Sequence, residues 1–160
     1  MIVAIGFFAW LPLRDVLAYP DRVAVLPNLQ ADAQTYYELG REVAETGSLR
    51  PLPARHPPVW VAVLAAVFAV TGASFVAAKL VLWAALLASI AGCAWLARRV
   101  YSTAAAWPAA LLCASSPALR GYVGTVQYEV FTGALLLLVL VLAARAAEAS
   151  SVRMLLRRAM

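Results

Sequence analysis

Residues 75–97 have the sequence FVAAKLVLWAALLASIAGCAWLA, and the pair Arg98-Arg99 follows directly. A membrane-spanning helix needs about 20 predominantly apolar residues, so this stretch predicts a transmembrane helix with a basic flank. The whole chain has 160 residues, of which 64% are hydrophobic and 13% are charged. A soluble domain is about half apolar and about a quarter charged. The composition therefore predicts an all-α, polytopic membrane helical bundle, and it excludes a disulfide scaffold, a coiled coil and a disordered chain.

Four other apolar stretches accompany this helix. We expect a single membrane domain and an N-terminal fragment of a longer protein, in which residues 14–58 form an outer loop and residues 148–160 a basic cytoplasmic tail. Within the membrane, the sequence predicts the end of a first transmembrane helix at 1–13, a re-entrant or interfacial helix at 59–71, and transmembrane helices at 75–97, 104–121 and 129–147.

The distribution of charge predicts the topology. Residues 14–56 contain six acidic residues and five arginines and are nearly neutral, whereas Arg98-Arg99 and the C-terminal arginines concentrate positive charge. Basic residues in short flanking loops stay in the cytoplasm, so the net charge of +5 marks a membrane side and not a nucleic-acid surface. The 13 residues of 59–71 cover only about 20 Å of a core about 30 Å thick, so we expect this helix to stay on the outer side.

The outer loop contains an amphipathic segment. Residues 32–46 (DAQTYYELGREVAET) predict a helix closed by Gly47 that lies at the bilayer surface. Its apolar stripe consists of Tyr36, Leu39 and Val43. Asp32 stands at the predicted helix start, where it is either an N-cap or a carboxylate with a chemical role.

Two more features lie next to apolar segments. In Arg55-His56-Pro57-Pro58, the prolines hold Arg55 and His56 at the interface, where paired donors bind phosphate, although Arg55 also fits a simple basic flank. Glu129 opens a strongly apolar helix, either as a functional carboxylate or as a complement to the helix dipole. The predicted topology places Asp32 and Glu129 at the same membrane surface. Cys93 and Cys113 lie inside apolar segments and indicate small buried hydrophobic residues.

The order of these features resembles a known family. An Asp opens a Tyr-containing helix, a His-Pro-Pro turn precedes a short apolar segment, a long helix ends in Leu-Ala-Arg-Arg, and an acidic residue opens a later helix. From about residue 11 to residue 145, this set is similar to the N-terminal part of the GT-C superfamily of membrane glycosyltransferases. It is most similar to the branch that contains protein O-mannosyltransferases and lipid A aminoarabinose transferases.

The resemblance implies a function at the outer face of the plasma membrane. Family members are multi-pass proteins that transfer a sugar, with inversion, from a polyprenyl-phosphate donor to a glycan, lipid or protein acceptor. The resemblance implies catalytic roles for Asp32 and Glu129, and the residues expected to bind substrate are Tyr36, Arg55, His56 and Arg120. The resemblance leaves open whether the site binds a divalent metal, since Ala33 stands where many members have a second acidic residue.

Two further expectations follow from the sequence. The 160-residue chain alone should be inactive, because the donor cavity in this family is completed by helices that lie beyond its end. The alternative function is a non-catalytic polytopic membrane protein, such as a transporter fragment or an assembly subunit, in which Asp32 and Glu129 do not converge.

Overall fold

The computed structural model describes the backbone of residues 2–18, 27–49 and 56–159, and the side chains of 2–18, 32–49 and 56–148. Within these ranges the chain is α-helical and contains no strand, which confirms the predicted all-α class. The elements are α1 (Ile2–Ala18), α2 (Pro27–Thr46), α3 (Pro58–Thr71), α4 (Phe75–Val100), a 3₁₀ turn (Thr103–Ala105), α5 (Ala106–Ser115), α6 (Pro117–Gly124) and α7 (Tyr128–Ala159).

Two helices, α4 and the Tyr128–Glu148 part of α7, are long and apolar enough to cross a membrane. The core helix of a soluble protein buries most of such a segment. Here only 28% of the most apolar window of α4 and 6% of that of α7 are buried inside the chain. Helix α7 therefore presents much of its apolar surface outward, as a helix in contact with lipid does, whereas most apolar residues of α4 are half-buried or buried among its neighbours.

Helices α4 and α7 pack side by side and run in the same direction. A Cβ atom placed on Gly92 would lie 3.4 Å from Cβ of Leu137. Further along both helices, Nη2 of Arg99 lies 3.0 Å from Oε2 of Glu148. Both helices therefore begin at one end of the pair, called here the N-terminal end, and the Arg99–Glu148 ion pair marks the opposite end.

Helix α3 lies across the N-terminal end of this pair. Near its start, the ring of Trp60 packs on Phe131 in the first turn of α7, with centroids 5.2 Å apart. At its other end, the short turn from Gly72 to Ser74 leads into α4, with Gly72 at φ +74° and Ser74 as the N-cap. Because both ends of α3 adjoin helix starts at the same end of the pair, α3 does not run along the length of α4 and α7.

Helix α2 covers α3. At Gly40 the two backbones approach so closely that an added Cβ would lie 2.8 Å from Cβ of Leu64. The ring of Tyr37 stacks on Phe75 with centroids 4.1 Å apart, and its hydroxyl donates a hydrogen bond of 3.1 Å to the carbonyl of Ala73. The predicted stripe is confirmed, because Tyr36 and Val43 are buried and Leu39 packs against the core. The surface that covers this stripe is supplied by the protein itself.

The expected single helix over residues 104–121 is wrong, since the chain breaks at Ser116-Pro117. Proline has no amide hydrogen and its ring clashes with the preceding helical turn, so it ends one helix and is well placed to begin the next. Ser116 leaves the helical conformation with ψ at 115°, and its hydroxyl accepts the amide of Leu119 at 3.4 Å as the N-cap of α6. Two short helices, α5 and α6, therefore replace one long helix.

The first and last helices are longer than predicted. Helix α1 continues past residue 13 to Ala18, because Arg14 and Asp15 remain exposed and form an ion pair of 2.8 Å with each other. It is joined to α4 by the indole of Trp83, which donates a hydrogen bond of 2.9 Å to the carbonyl of Ala9. Helix α7 continues through the predicted tail to Ala159, since neither glycine nor proline follows Gly133.

Candidate functional site

An aromatic cluster joins the polar region of the chain to the start of α7. The buried ring of Tyr36, on α2, makes edge-to-face contacts with His56 and with Tyr128, at centroid distances of 5.4 Å and 5.8 Å. His56 directly precedes Pro57-Pro58 and is only 7% exposed. The pair of prolines restricts the backbone at this point, so the His56 ring enters the cluster from the beginning of α3.

Two buried polar atoms in this region have no partner in the described part of the chain. They are Oε2 of Glu129, in the first turn of α7, and Nε1 of Trp60, whose side chain is 1% exposed. A buried acceptor or donor without a hydrogen bond costs about 1–3 kcal/mol. The site therefore presents one acceptor and one donor that a polar ligand or a water molecule can satisfy.

A strained and buried turn fixes the start of α7. Val126 has φ at +55°, a conformation that is unfavourable for a β-branched residue. Val126, Thr125 and Gln127 are all buried, and the Thr125 hydroxyl donates to the carbonyl of Tyr122 at 3.2 Å. Such strain persists only where the surrounding structure holds it, and it concentrates at functional sites. The turn fixes the positions of Tyr128 and Glu129.

Lys79, in the second turn of α4, is a residue whose importance the sequence analysis missed. It is the only lysine in the chain, and it is 2% exposed although it lies in an apolar helix. Val81 and Phe131 line the same groove between the parallel helices α4 and α7. Lys79 precedes Val81 on α4 and Glu129 precedes Phe131 on α7, so both residues lie in the part of the pair near its N-terminal end. The sequence did contain a pattern that singles out Lys79, since it is a charged residue within the longest apolar stretch. Such residues are costly in a membrane and are usually functional.

The structure places Asp32 inside α2, where it is exposed. Of the two interpretations of Asp32, the N-cap is wrong, since the helix begins at Pro27, a residue suited to the first helical position. Asp32 lies one helical turn before Tyr36, on the same face. Since Tyr36 contacts Tyr128, the helices that carry Asp32 and Glu129 meet at this cluster.

Arg120 forms contacts within the bundle. Its guanidinium donates to the carbonyls of Ser115 and Ser116 at 3.3 Å and 3.4 Å, at the end of α5, and it lies 5.2 Å from the ring centroid of Phe8. These contacts neutralise the negative end of α5 and attach α6 to α1. They give Arg120 a structural role. Arg55 lies outside the described residues.

In the described ranges, no group of three or more His, Cys, Asp or Glu side chains could hold a metal ion. The chain was compared with protein-family models, with curated proteins and with solved structures, and it matches none of them.

Proposed function

We propose that this chain belongs to a membrane glycosyltransferase of the GT-C type, which transfers a sugar from a polyprenyl-phosphate donor to a glycan, lipid or protein acceptor. The observation that carries the proposal is the contact of Tyr36 with both His56 and Tyr128, beside Glu129, whose Oε2 atom is buried. Groups from the polar region thereby meet an acidic helix start at one end of two helices that can cross a membrane. A donor with a lipid anchor and a polar head would reach such a site from the bilayer.

The proposed reaction assigns separate roles to the two carboxylates. The acceptor oxygen attacks the anomeric carbon, the bond from that carbon to the phosphate oxygen breaks, and the acceptor proton passes to a general base. We assign the base to Asp32, whose exposed carboxylate is open to an acceptor from the aqueous side. Glu129 orients the acceptor through its unpartnered oxygen. His56 and its sequence neighbour Arg55 contact the departing phosphate.

The charge distribution supports an extracytoplasmic site. Arg98, Arg99 and Arg145 lie at the end of the α4–α7 pair opposite the aromatic cluster. From the positive-inside rule we infer that this end is cytoplasmic and that the cluster faces the outer side of the plasma membrane in a multi-pass protein. The position of α3 across the outer end agrees with a helix that does not cross.

The test is a set of isosteric substitutions in the longest reading frame that contains this chain. Asp32→Asn should reduce transfer from a polyprenyl-phosphate sugar by about 10²–10⁴-fold, the usual contribution of a general base. Its effect on stability should be small, because Asp32 is exposed and Asp and Asn have similar helix propensities. Glu129→Gln should cause a smaller loss. Glu42→Gln removes another exposed carboxylate from α2 and serves as the matched control.

The outcomes separate this function from its alternative. Loss of transfer in Asp32→Asn with normal transfer in Glu42→Gln supports a catalytic carboxylate. Near wild-type transfer by Asp32→Asn removes Asp32 from the mechanism. Complete absence of transfer by the unsubstituted protein, with donors of several sugars, favours the non-catalytic polytopic membrane protein.

A further inference from the structure

An apolar groove runs along the length of the α4–α7 pair, between the two helices. It has a volume of about 550 Å³ and is bounded by Val81 and Phe131 near the N-terminal end and by Trp95 and Val141 near the other. Its floor on α4 is formed by small residues, among them Ala88 and Gly92. From Val81 to Trp95 the groove is about 21 Å long at 1.5 Å per residue, which exceeds the thickness of one bilayer leaflet, about 15 Å.

A basic cluster closes one end of this groove. Trp95 lies in the groove wall, and two guanidinium groups lie near its ring, those of Arg99 at 5.7 Å and Arg145 at 5.5 Å from the centroid. Arg98 is exposed next to them, and the acidic residue of the cluster is Glu148, paired with Arg99. Three arginines and one glutamate leave this end positively charged.

We propose that the groove and the basic cluster together bind an anionic phospholipid, with an acyl chain along α4 and α7 and the phosphate at Arg99 and Arg145. Guanidinium groups are well suited to bind phosphate through paired donors, and basic pockets between transmembrane helices hold anionic head groups. The continuity of an apolar groove with a cationic end favours a lipid over a second helix, since an apolar helix would leave the arginines without a complement. The inference is independent of the proposed glycosyltransferase function.

The variants remove the head-group and chain contacts separately. The double variant Arg99→Gln/Arg145→Gln removes the two cations at Trp95. Its matched control, Arg14→Gln/Arg41→Gln, removes two exposed arginines that also stand beside carboxylates but lie on α1 and α2. Ala88→Phe fills the groove from an exposed position and leaves the charges unchanged.

The purified 160-residue chain is equilibrated with equal amounts of phosphatidylglycerol and phosphatidylcholine. Native mass spectrometry then counts how many molecules of each lipid remain bound. We expect the unsubstituted chain to bind more phosphatidylglycerol than phosphatidylcholine. The double arginine variant should lower the ratio of the two bound lipids about tenfold, and the control variant should leave this ratio unchanged. Ala88→Phe should reduce binding of both lipids. If the double variant fails to fold by circular dichroism, Ala88→Phe still tests the groove.

Three outcomes would overturn the proposal. The first is equal retention of the two lipids by the unsubstituted chain. The second is displacement of phosphatidylglycerol by inorganic phosphate alone, which would indicate an anion site without a role for the groove. The third is a lipid-free dimer that Ala88→Phe converts to a monomer, which would assign the groove to a second copy of the chain.

Discussion

The close approach of α2 and α3 at Gly40 makes Gly40→Ala a sensitive test of the site's architecture. A Cβ atom at this position would lie 2.8 Å from Cβ of Leu64 and 3.2 Å from Cε2 of Phe68. The Leu64 atom is bonded directly to the backbone of α3, so no rotation of a side chain relieves the contact. The two helices must separate, and Tyr36, one turn earlier on α2, must move away from His56.

Two opposing effects determine the size of the change. Alanine is favoured over glycine within a helix by about 1 kcal/mol. Overpacking a close contact costs about 1–3 kcal/mol, and an anchored contact belongs in the upper part of that range. The overpacking term is larger, so Gly40→Ala should lower the free energy of unfolding by about 1–2 kcal/mol, which is about a tenfold change in the equilibrium constant.

The assay is unfolding in mixed micelles with a rising fraction of sodium dodecyl sulfate, followed by circular dichroism. Gly133→Ala is the matched control, because Gly133 also lies within a helix but has nothing within 4 Å of an added Cβ. Only the propensity effect acts there, so this variant should gain stability by up to about 1 kcal/mol. Equal stabilisation by both substitutions would refute the close packing of α2 on α3.

Three further predictions concern the bundle, the topology and the activity. Cys93 on α4 and Cys113 on α5 are free thiols that line the same pocket. Oxidation with copper phenanthroline should therefore form a disulfide within one chain and reduce the free thiol count from two to zero. A disulfide only between chains would contradict the packing of α4 on α5. The topology is tested in a chain in which both cysteines are replaced. There, Ser74→Cys should react with a membrane-impermeant maleimide added outside, and Ser102→Cys should react only from the cytoplasm. Cytoplasmic labelling at residue 74 would disprove the non-crossing position of α3. The purified 160-residue chain should not transfer sugar, and efficient turnover would disprove our expectation that other helices complete the donor cavity.

The elements that the sequence predicted well are those dominated by one physical effect. Hydropathy alone identified α4 and α7, since few other structures accommodate 20 apolar residues. The end of α2 was predicted from Gly47, whose φ of +67° favours glycine, and its amide donates to the carbonyl of Val43 at 2.9 Å. These signals are local, so they do not depend on what packs against the helix.

The errors arose where two local effects compete or where tertiary contacts decide. Pro117 is apolar enough to fit a transmembrane pattern, but its missing amide hydrogen ended the helix. Asp32 has the chemistry of an N-cap, but Pro27 began the helix earlier. The partners of Trp60 and Tyr128 depend on how α3 crosses the end of the α4–α7 pair, which no spacing in the sequence encodes.

The position of the candidate site follows from the direction of the helices around it. Because α4 and α7 run in parallel, their first turns carry the positive ends of two helix dipoles to the same end of the pair, each equivalent to about half a unit charge. Lys79 is a buried basic side chain in the second turn of α4. An anionic group that enters between the two helix starts would be stabilised by these dipoles. The phosphate of a lipid-linked sugar has the required charge, whereas a neutral lipid or an apolar helix would leave the positive potential without a complement.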